Sequence, residues 1–196
     1  MDAAWEIAGR DGLAALTVSG LCRATGVHDR YFYENFNGVD DVVVALVDEI
    51  AARLGVVTAA AIMTGEPELR SAVRAGMSAC IEYLTDDPTR VRLLLVEAQV
   101  HRAVAQRRNE IRRVFIDLMR TGFQRQYGDA AAAQLGSLFD VIGVQAFGAT
   151  LEAVSAWTSG DLEVTRDELI DLCADLLVGL AEYTYTTVVT DKPTSS

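Results

Sequence analysis

Apolar residues recur along most of the chain at intervals of three and four positions, the spacing of one face of an α-helix. Such stripes lie within residues 42–54, 73–84, 104–119, 135–153 and 169–180. Clusters of β-branched residues are short and fall inside the same helical spacing, so the strand signals are weak. The pattern therefore predicts an all-α protein.

Glycines, prolines and capping residues interrupt these stripes where helices would begin and end. Gly12 fits a helix C-terminus, Thr17 fits a helix N-cap, and Pro88 suits the first turn of a helix. The predicted helices are short in the N-terminal part and long in the remainder. This organisation predicts a three-helix head at residues 1–46, a larger helical body at 47–186 and a flexible tail at 187–196.

Composition narrows the possible partners and the compartment. The chain has 196 residues, 51% of them hydrophobic, and a formal net charge of −11. That charge argues against a protein that grips nucleic acid by bulk electrostatics, although it leaves room for a small site with local geometry. The sequence contains no apolar run of about 18 residues and no basic-then-apolar pattern at its start. We therefore expect a cytoplasmic protein without membrane contact.

Signatures of catalysis and of metal binding are missing from the sequence. Cys22, Cys80 and Cys173 are far apart and lack metal-type spacing, so we interpret them as small buried apolar residues. The two histidines form no H-E-x-x-H motif, and the chain has neither a glycine-rich phosphate loop nor a serine-centred elbow. We expect no enzyme activity, no cofactor and no metal site.

The stretch at residues 17–36, TVSGLCRATGVHDRYFYENF, concentrates aromatic and charged side chains near the N-terminus. A first helix is predicted to start at Thr17. A tight turn at Gly26 and Val27 follows, and a second helix is predicted over residues 28–35. Two short helices joined by a glycine-containing turn are typical of a helix-turn-helix.

Two phenylalanines set the expected orientation of the second helix. Phe32 and Phe36 are four residues apart and share one helical face, which we expect to point inward. The other residues expected to pack inside are Leu21, Ala24 and Val27. This orientation places Arg30 and Glu34 on the outer face.

The outer face carries side chains that suit the recognition of DNA. Arg30 can donate two hydrogen bonds to guanine, and Glu34 can accept one from cytosine or hold Arg30 in place. The predicted DNA-binding residues are Thr17, Ser19, His28, Asp29, Arg30, Tyr31, Tyr33 and Glu34. From the residues alone, a solvated Arg–Glu face with tyrosines packed beside the core remains the alternative.

The segment from Ile7 to Leu46 resembles the DNA-binding head of TetR-type transcriptional regulators. The matching residues, in uninterrupted spacing, are Gly12, Leu16-Thr17-Val18, Gly26-Val27, Phe32-Tyr33-x-x-Phe36 and Asp40-Asp41. The resemblance implies a TetR-like all-α fold with a helix-turn-helix head and a ligand-binding and dimerisation body. It also implies a homodimeric regulator, most simply a repressor that a small apolar effector releases from a double-stranded DNA operator.

The head departs from the family pattern in its charge. Asp29 and Val39 stand where such regulators often carry basic residues, and residues 1–46 hold three arginines against seven acidic residues. A missing phosphate contact weakens binding to all DNA sequences alike. The alternative function is therefore that of a TetR-like helical ligand-binding protein with weak or lost DNA binding.

The resemblance further implies that the long helices of the body bind the effector. The candidate ligand-binding residues are Met77, Cys80, His101, Phe115, Met119 and Gln145. Core packing is the alternative for the apolar members of this set, and a surface position is the alternative for His101. Gln145 lies on an apolar stripe and needs hydrogen-bond partners, so it either lines the cavity or bonds across a subunit interface.

The last two predicted helices, at about residues 133–158 and 165–185, are implied to pair with a second subunit. Small residues along the first and leucines along the second would allow a four-helix bundle between subunits. The alternative is that both helices pack only within one chain. Seven arginines between residues 102 and 125 form the main basic concentration, which we interpret as a solvated face paired with acidic residues.

Overall fold

A computed structural model describes residues 1–65, 68–96 and 101–190, and within these ranges the chain is helical and has no β-strand. The predicted all-α class is confirmed. The α-helices are α1 Asp2–Asp11, α2 Val18–Thr25, α3 Asp29–Tyr33, α4 Val39–Thr64, α5 Leu69–Thr85, α6 Pro88–Val91, α7 Arg102–Tyr127, α8 Asp129–Leu135, α9 Ser137–Thr158 and α10 Arg166–Thr184. A 3₁₀ turn occupies Leu13–Ala15, and π-helical turns occupy Arg92–Val96 and Tyr185–Thr190. The break predicted at Pro67 lies outside the described residues.

The helices form two compact units, which we call unit 1 and unit 2. Unit 1 comprises Met1–Leu54 and Leu84–Glu110, and unit 2 comprises Gly55–Tyr83 and the chain from Ile111 onward. Helices α4 and α7 each run through a unit boundary without interruption, so each contributes residues to both units. The division expected at residue 46 therefore does not coincide with packing, and it stays a prediction about where DNA and ligand bind.

Unit 1 combines the N-terminal helices with a segment much later in the chain. The first half of α4 supplies its central apolar face, and Leu46, Val47 and Ile50 are fully buried there. The guanidinium Nη2 of Arg92 donates to the backbone oxygen of Gly9 at 3.2 Å. A side chain at Gly9 would place its Cβ 3.0 Å from the Thr89 hydroxyl, so the glycine permits the close approach of α1 and α6.

In unit 2 a glycine of α9 lies directly against α7. A Cβ at Gly143 would lie 2.6 Å from Cγ1 of Ile116, so α9 fits against α7 only because residue 143 has no side chain. Phe123 and Phe139 pack edge to face beside this contact, with ring centroids 5.7 Å apart. Such aromatic pairs contribute about 0.5–1.5 kcal/mol beyond their burial.

Two details differ from the sequence-based expectation of what is buried and what is ordered. Ala24 and Val27 are exposed, so the prediction that they pack inside is wrong; α2 is only two turns long, and its buried residues are Leu21 and Cys22. The flexible tail was expected to begin at residue 187, whereas the described chain is helical up to residue 190. The π-helical turn Tyr185–Thr190 continues α10, and Val188 and Val189 pack against a buried apolar cluster that includes Ile116, Phe123 and Phe139. Residues 191–196 lie outside the described ranges.

Candidate nucleic-acid interface and apolar cavity

Local hydrogen bonds shape the helix-turn-helix in unit 1. The Thr17 hydroxyl accepts a hydrogen bond from the backbone N–H of Gly20 at 3.0 Å, which caps the start of α2. At the other end, Gly26 adopts the left-handed conformation with φ 70°. This lets the N–H of Val27 donate to the backbone oxygen of Cys22 at 3.1 Å. The turn then delivers the chain directly into α3.

Aromatic packing seats α3 against the rest of the head. Phe32 is 8% exposed, and its ring lies 5.6 Å from that of Phe36, centroid to centroid. Tyr33 meets Phe32 edge to face at 5.4 Å. The side-chain amide of Asn35 donates to the backbone oxygen of Tyr31 at 2.9 Å and extends the turn after the helix. The predicted inward position of Phe32 is confirmed.

The opposite face of α3 is open to solvent. Arg30 has 86% of its side chain exposed, and its Nε lies 3.2 Å from a carboxylate oxygen of Glu34. Tyr31 and Tyr33 are 58% and 59% exposed. All the predicted DNA-binding residues are exposed: Thr17, Ser19, His28, Asp29, Arg30, Tyr31, Tyr33 and Glu34. The structure thus brings them to the surface of one helix pair, α2 and α3.

Asp29 also has a partner inside the head. Burial raises the pKa of the Cys22 thiol, and a hydrogen bond with the Asp29 carboxylate raises it further because that bond favours the protonated thiol. The Asp29 carboxylate at the start of α3 therefore lies close to Cys22 of α2, while Asp29 itself is exposed.

Arg23 is a surface residue of α2 that the sequence analysis did not single out. It is exposed, and the structure shows no ion pair for it among the described residues. The first helix of a helix-turn-helix crosses the DNA backbone, where an unpaired arginine could contact phosphate. In the sequence, Arg23 could have been identified as a candidate contact because it is the one arginine between Thr17 and Arg30.

Unit 2 contains an apolar cavity of about 270 Å³. Its walls come from the end of α4 and from α5, α7, α9 and α10, and nearly all of its surface is carbon. Three of the predicted ligand-binding residues, Met77, Phe115 and Met119, line it. The volume lies just below the range of about 300–1,000 Å³ that is usual for small-molecule pockets.

The other three predicted ligand-binding residues lie outside the lining of this cavity. Cys80 is half-buried near Cys173, and loss of hydration raises the pKa of its thiol to about 12. His101 belongs to unit 1, where its Nε2 lies 3.2 Å from an Asp40 carboxylate oxygen. Gln145 is exposed and does not line the cavity, and the alternative that it bonds across a subunit interface stays a prediction. Its exposure arises because α9 carries apolar residues on both faces, and the face with Gln145 is the one turned away from α7.

Within the described residues, no cluster of three or more histidine, cysteine or carboxylate side chains could hold a metal ion. The site therefore consists of an exposed helix pair in unit 1 and an apolar cavity in unit 2. Neither has the geometry of a nucleophile beside a base. Together they provide one surface suited to a macromolecule and one apolar cavity suited to a small molecule.

No protein-family model matches the sequence, and a search of curated proteins finds no significant match. Solved structures do match. The fatty acid degradation regulator FadR from Bacillus halodurans has a TM-score of 0.71 at 21% identity, over 91% of this chain and 92% of that one. A candidate transcriptional regulator from Pseudomonas aeruginosa PAO1 has a TM-score of 0.67 at 15% identity, over 95% and 90%. Both are described as regulators rather than enzymes. The chain therefore has the TetR-like fold of these transcriptional regulators.

Proposed function

We propose that the protein is a DNA-binding transcriptional regulator, a repressor whose operator affinity falls when a small apolar molecule occupies the cavity of unit 2. The observation that supports this proposal most directly is that α3 has one buried face and one face exposed to solvent. Its inner face holds the buried Phe32, and its outer face presents Arg30, Tyr31 and Tyr33 to solvent. A packed helix that displays hydrogen-bonding and aromatic groups outward suits the major groove.

Arg30 is the central residue of the proposed DNA contact. The ion pair between Arg30 and Glu34 is highly exposed, and exposed ion pairs contribute only about 0–1 kcal/mol of stability. Arg30 can therefore leave Glu34 and bind a guanine at little cost in free energy. Tyr31 would contact a thymine methyl group and Tyr33 a phosphate. The remaining proposed contacts are Thr17, Ser19, His28, Asp29 and Glu34.

A single head with this charge would bind DNA weakly, so the proposal requires two heads. The outer face of α9 exposes Leu138, Val141 and Val144, which are 40%, 52% and 43% accessible. On α10, Leu172 and Tyr183 are 62% and 65% accessible and lie on one stripe. Isolated apolar residues are common on surfaces, but two aligned stripes are typical of an interface.

We propose that these two faces pair with the same faces of a second copy and form a four-helix bundle. Gln145 lies on the outer face of α9 and not in the cavity, so we propose that its amide forms hydrogen bonds across the subunit interface. By length and composition alone, α9 and the helix Arg166–Val189 could also cross a membrane. Each, however, buries one face within unit 2, which suits a soluble helical body better than a lipid environment.

The proposed switch follows from thermodynamic linkage. A ligand lowers DNA affinity only if it binds more tightly to a conformation whose two recognition helices no longer match major grooves about 34–36 Å apart. Helices α4, α5 and α7 contribute to both units and are the elements through which the cavity would influence the head. DNA must then weaken ligand binding by the same factor, typically about 5–150-fold.

The test is fluorescence anisotropy with DNA from upstream of the protein's own gene and with scrambled DNA of the same length. We expect the wild type to prefer the upstream DNA and Arg30→Ala to lose about 1–3 kcal/mol of that preference, the value of one bidentate arginine contact. Arg113→Ala removes the same charge from an exposed position in unit 2 and is the control. Equal affinity of the wild type for both DNAs would instead favour a ligand-binding protein that has lost DNA recognition, as the acidic head suggests.

A further inference from the structure

The cavity of unit 2 has one end open to solvent. Among its lining residues, the exposed ones are Met63, Thr121 and Arg125, whereas Met77, Phe123, Phe139 and Leu177 are buried. Met63 lies near the end of α4, and Thr121 and Arg125 lie in the last turns of α7. The mouth of the cavity is therefore at the C-terminal ends of these two helices.

The cavity is long in relation to its volume. Its lining along α7 runs from Phe115 to Arg125, which is about 15 Å at 1.5 Å per residue. A volume of about 270 Å³ corresponds to about nine atoms of the size of a water molecule, at roughly 30 Å³ each. An unbranched chain fits such a space better than a fused ring system does.

The interior of the cavity offers almost no hydrogen-bonding group to a ligand. The hydroxyls of Thr121 and Thr184 donate to backbone oxygens of their own helices, at 2.9 and 2.6 Å. The hydroxyl of Thr58 is buried without a hydrogen-bond partner, so it is the single interior group among the described lining residues that is not already engaged. A charged group placed deep inside would lose its hydration for at most this one neutral partner, so the inner part of the ligand must be largely hydrocarbon.

Arg125 is the one charged residue among the described residues that line the cavity, and it lies at the mouth. No ion pair within the described part of the chain involves its guanidinium, although acidic residues outnumber basic ones by 28 to 17 in the sequence. A guanidinium offers a fork of donors that matches a carboxylate. At the edge of a carbon-lined cavity, it can hold an anionic head while the tail enters.

We propose that the cavity binds an aliphatic monoanion, with an unbranched tail of about eight to ten carbon atoms inside and a carboxylate-type head at Arg125. This deepens the proposed function, because the same cavity is the one proposed to hold the effector. The apolar interior selects the tail, and the cation at the mouth fixes which end of the molecule remains outside.

Isothermal titration calorimetry on the full chain without DNA tests this proposal. The probes are decanoate and its uncharged counterpart decanamide, each below its aggregation concentration. We expect decanoate to bind more tightly, and Arg125→Gln to weaken decanoate by about five- to tenfold, the scale of one charge-assisted hydrogen bond at a partly exposed site. Decanamide should bind Arg125→Gln and the wild type equally.

Two control variants separate the head contact from the tail contact. Arg113→Gln removes an exposed arginine of α7 that does not line the cavity, and it should leave both affinities unchanged. Ala72→Leu places extra carbon atoms in the cavity and should weaken both probes, and circular dichroism checks that it folds. Binding of decanamide as tight as that of decanoate, or an unchanged decanoate affinity in Arg125→Gln, would overturn the assignment of the head.

The same titration distinguishes this proposal from the proposed function. Absence of binding by both probes would overturn the aliphatic class even if the protein recognises its operator. Binding of decanoate through Arg125 would support the inference even if the protein has no affinity for DNA, because the calorimeter contains no DNA. Decanoate binding should also weaken with added salt, since the head contact at the mouth is partly exposed and therefore screened.

Discussion

The contact between α7 and α9 provides the sharpest test of the structure, through the substitution Gly143→Ala. The new Cβ would lie 2.6, 3.2 and 3.3 Å from Cγ1, Cγ2 and Cβ of Ile116, where ordinary contacts begin at 3.4 Å. Rotation of the Ile116 side chain can move the two γ carbons. It cannot move Cβ, which the backbone of α7 fixes. Relief therefore requires the helices to separate.

The expected magnitude follows from two opposing terms. Overpacking of this kind costs about 1–3 kcal/mol, and replacing glycine by alanine inside a helix contributes about 1 kcal/mol of stability. Gly55→Ala is the matched control, because it lies inside α4 and a Cβ there would meet no atom within 4 Å. The helix-propensity gain is common to both variants. The difference between them, about 1–3 kcal/mol, measures the strain alone.

Chemical denaturation at equal protein concentration measures the free energy of unfolding of both variants, so that any dimerisation affects them alike. We expect Gly143→Ala to be less stable than Gly55→Ala by the amount above. In Ile116→Ala the γ carbons are absent, and the Gly143→Ala substitution should then cost less. If the two glycine variants have equal stability, α7 and α9 do not approach as closely as the structure shows.

Three further predictions address the surface, the thiols and the acid stability. Val144→Arg on the outer face of α9 should convert a dimer into monomers in light scattering, whereas Val56→Arg, at a more exposed valine of α4, should not. A wild type of 21.2 kDa in solution would refute the proposed pairing. The three cysteines should react slowly with a thiol reagent at pH 8 in the native protein and fully in guanidinium. The reason is that burial raises the pKa of each thiol, to about 12 for Cys80. A rapid reaction of the native protein would contradict this burial. Two hydrogen bonds from Asn37, the stronger effect from its backbone and the weaker from its side chain, lower the pKa of Asp41 below its usual 3.8. The ionised carboxylate therefore stabilises the fold above pH 3.8, and this stabilisation disappears as the pH falls through the lowered pKa. Asp41→Asn should therefore be less stable than the wild type at pH 7 and differ less from it at pH 3, and an equal difference at both values would exclude this linkage.

The sequence by itself determined the local structure of the head. Thr17 caps α2 and Gly26 turns the chain in the left-handed conformation, because these residue types satisfy hydrogen bonds and dihedral angles among near neighbours. The spacing of Phe32 and Phe36 then fixed which face of α3 points outward, since one short helix has only one apolar stripe. Pattern alone was sufficient where a helix has one apolar face.

Where a helix has two apolar faces, only the tertiary structure decided which one lies inside. Both stripes of α9 fit the helical period, and the placement of Gln145 depended on the choice between them. The close fit of Gly143 against Ile116 turns one stripe toward α7 and leaves Gln145 on the outer face of α9. The pairing of residues 84–110 with the N-terminal helices is likewise a long-range contact. Periodicity records the existence of an apolar face, but its partner depends on complementary shape between residues far apart in the chain.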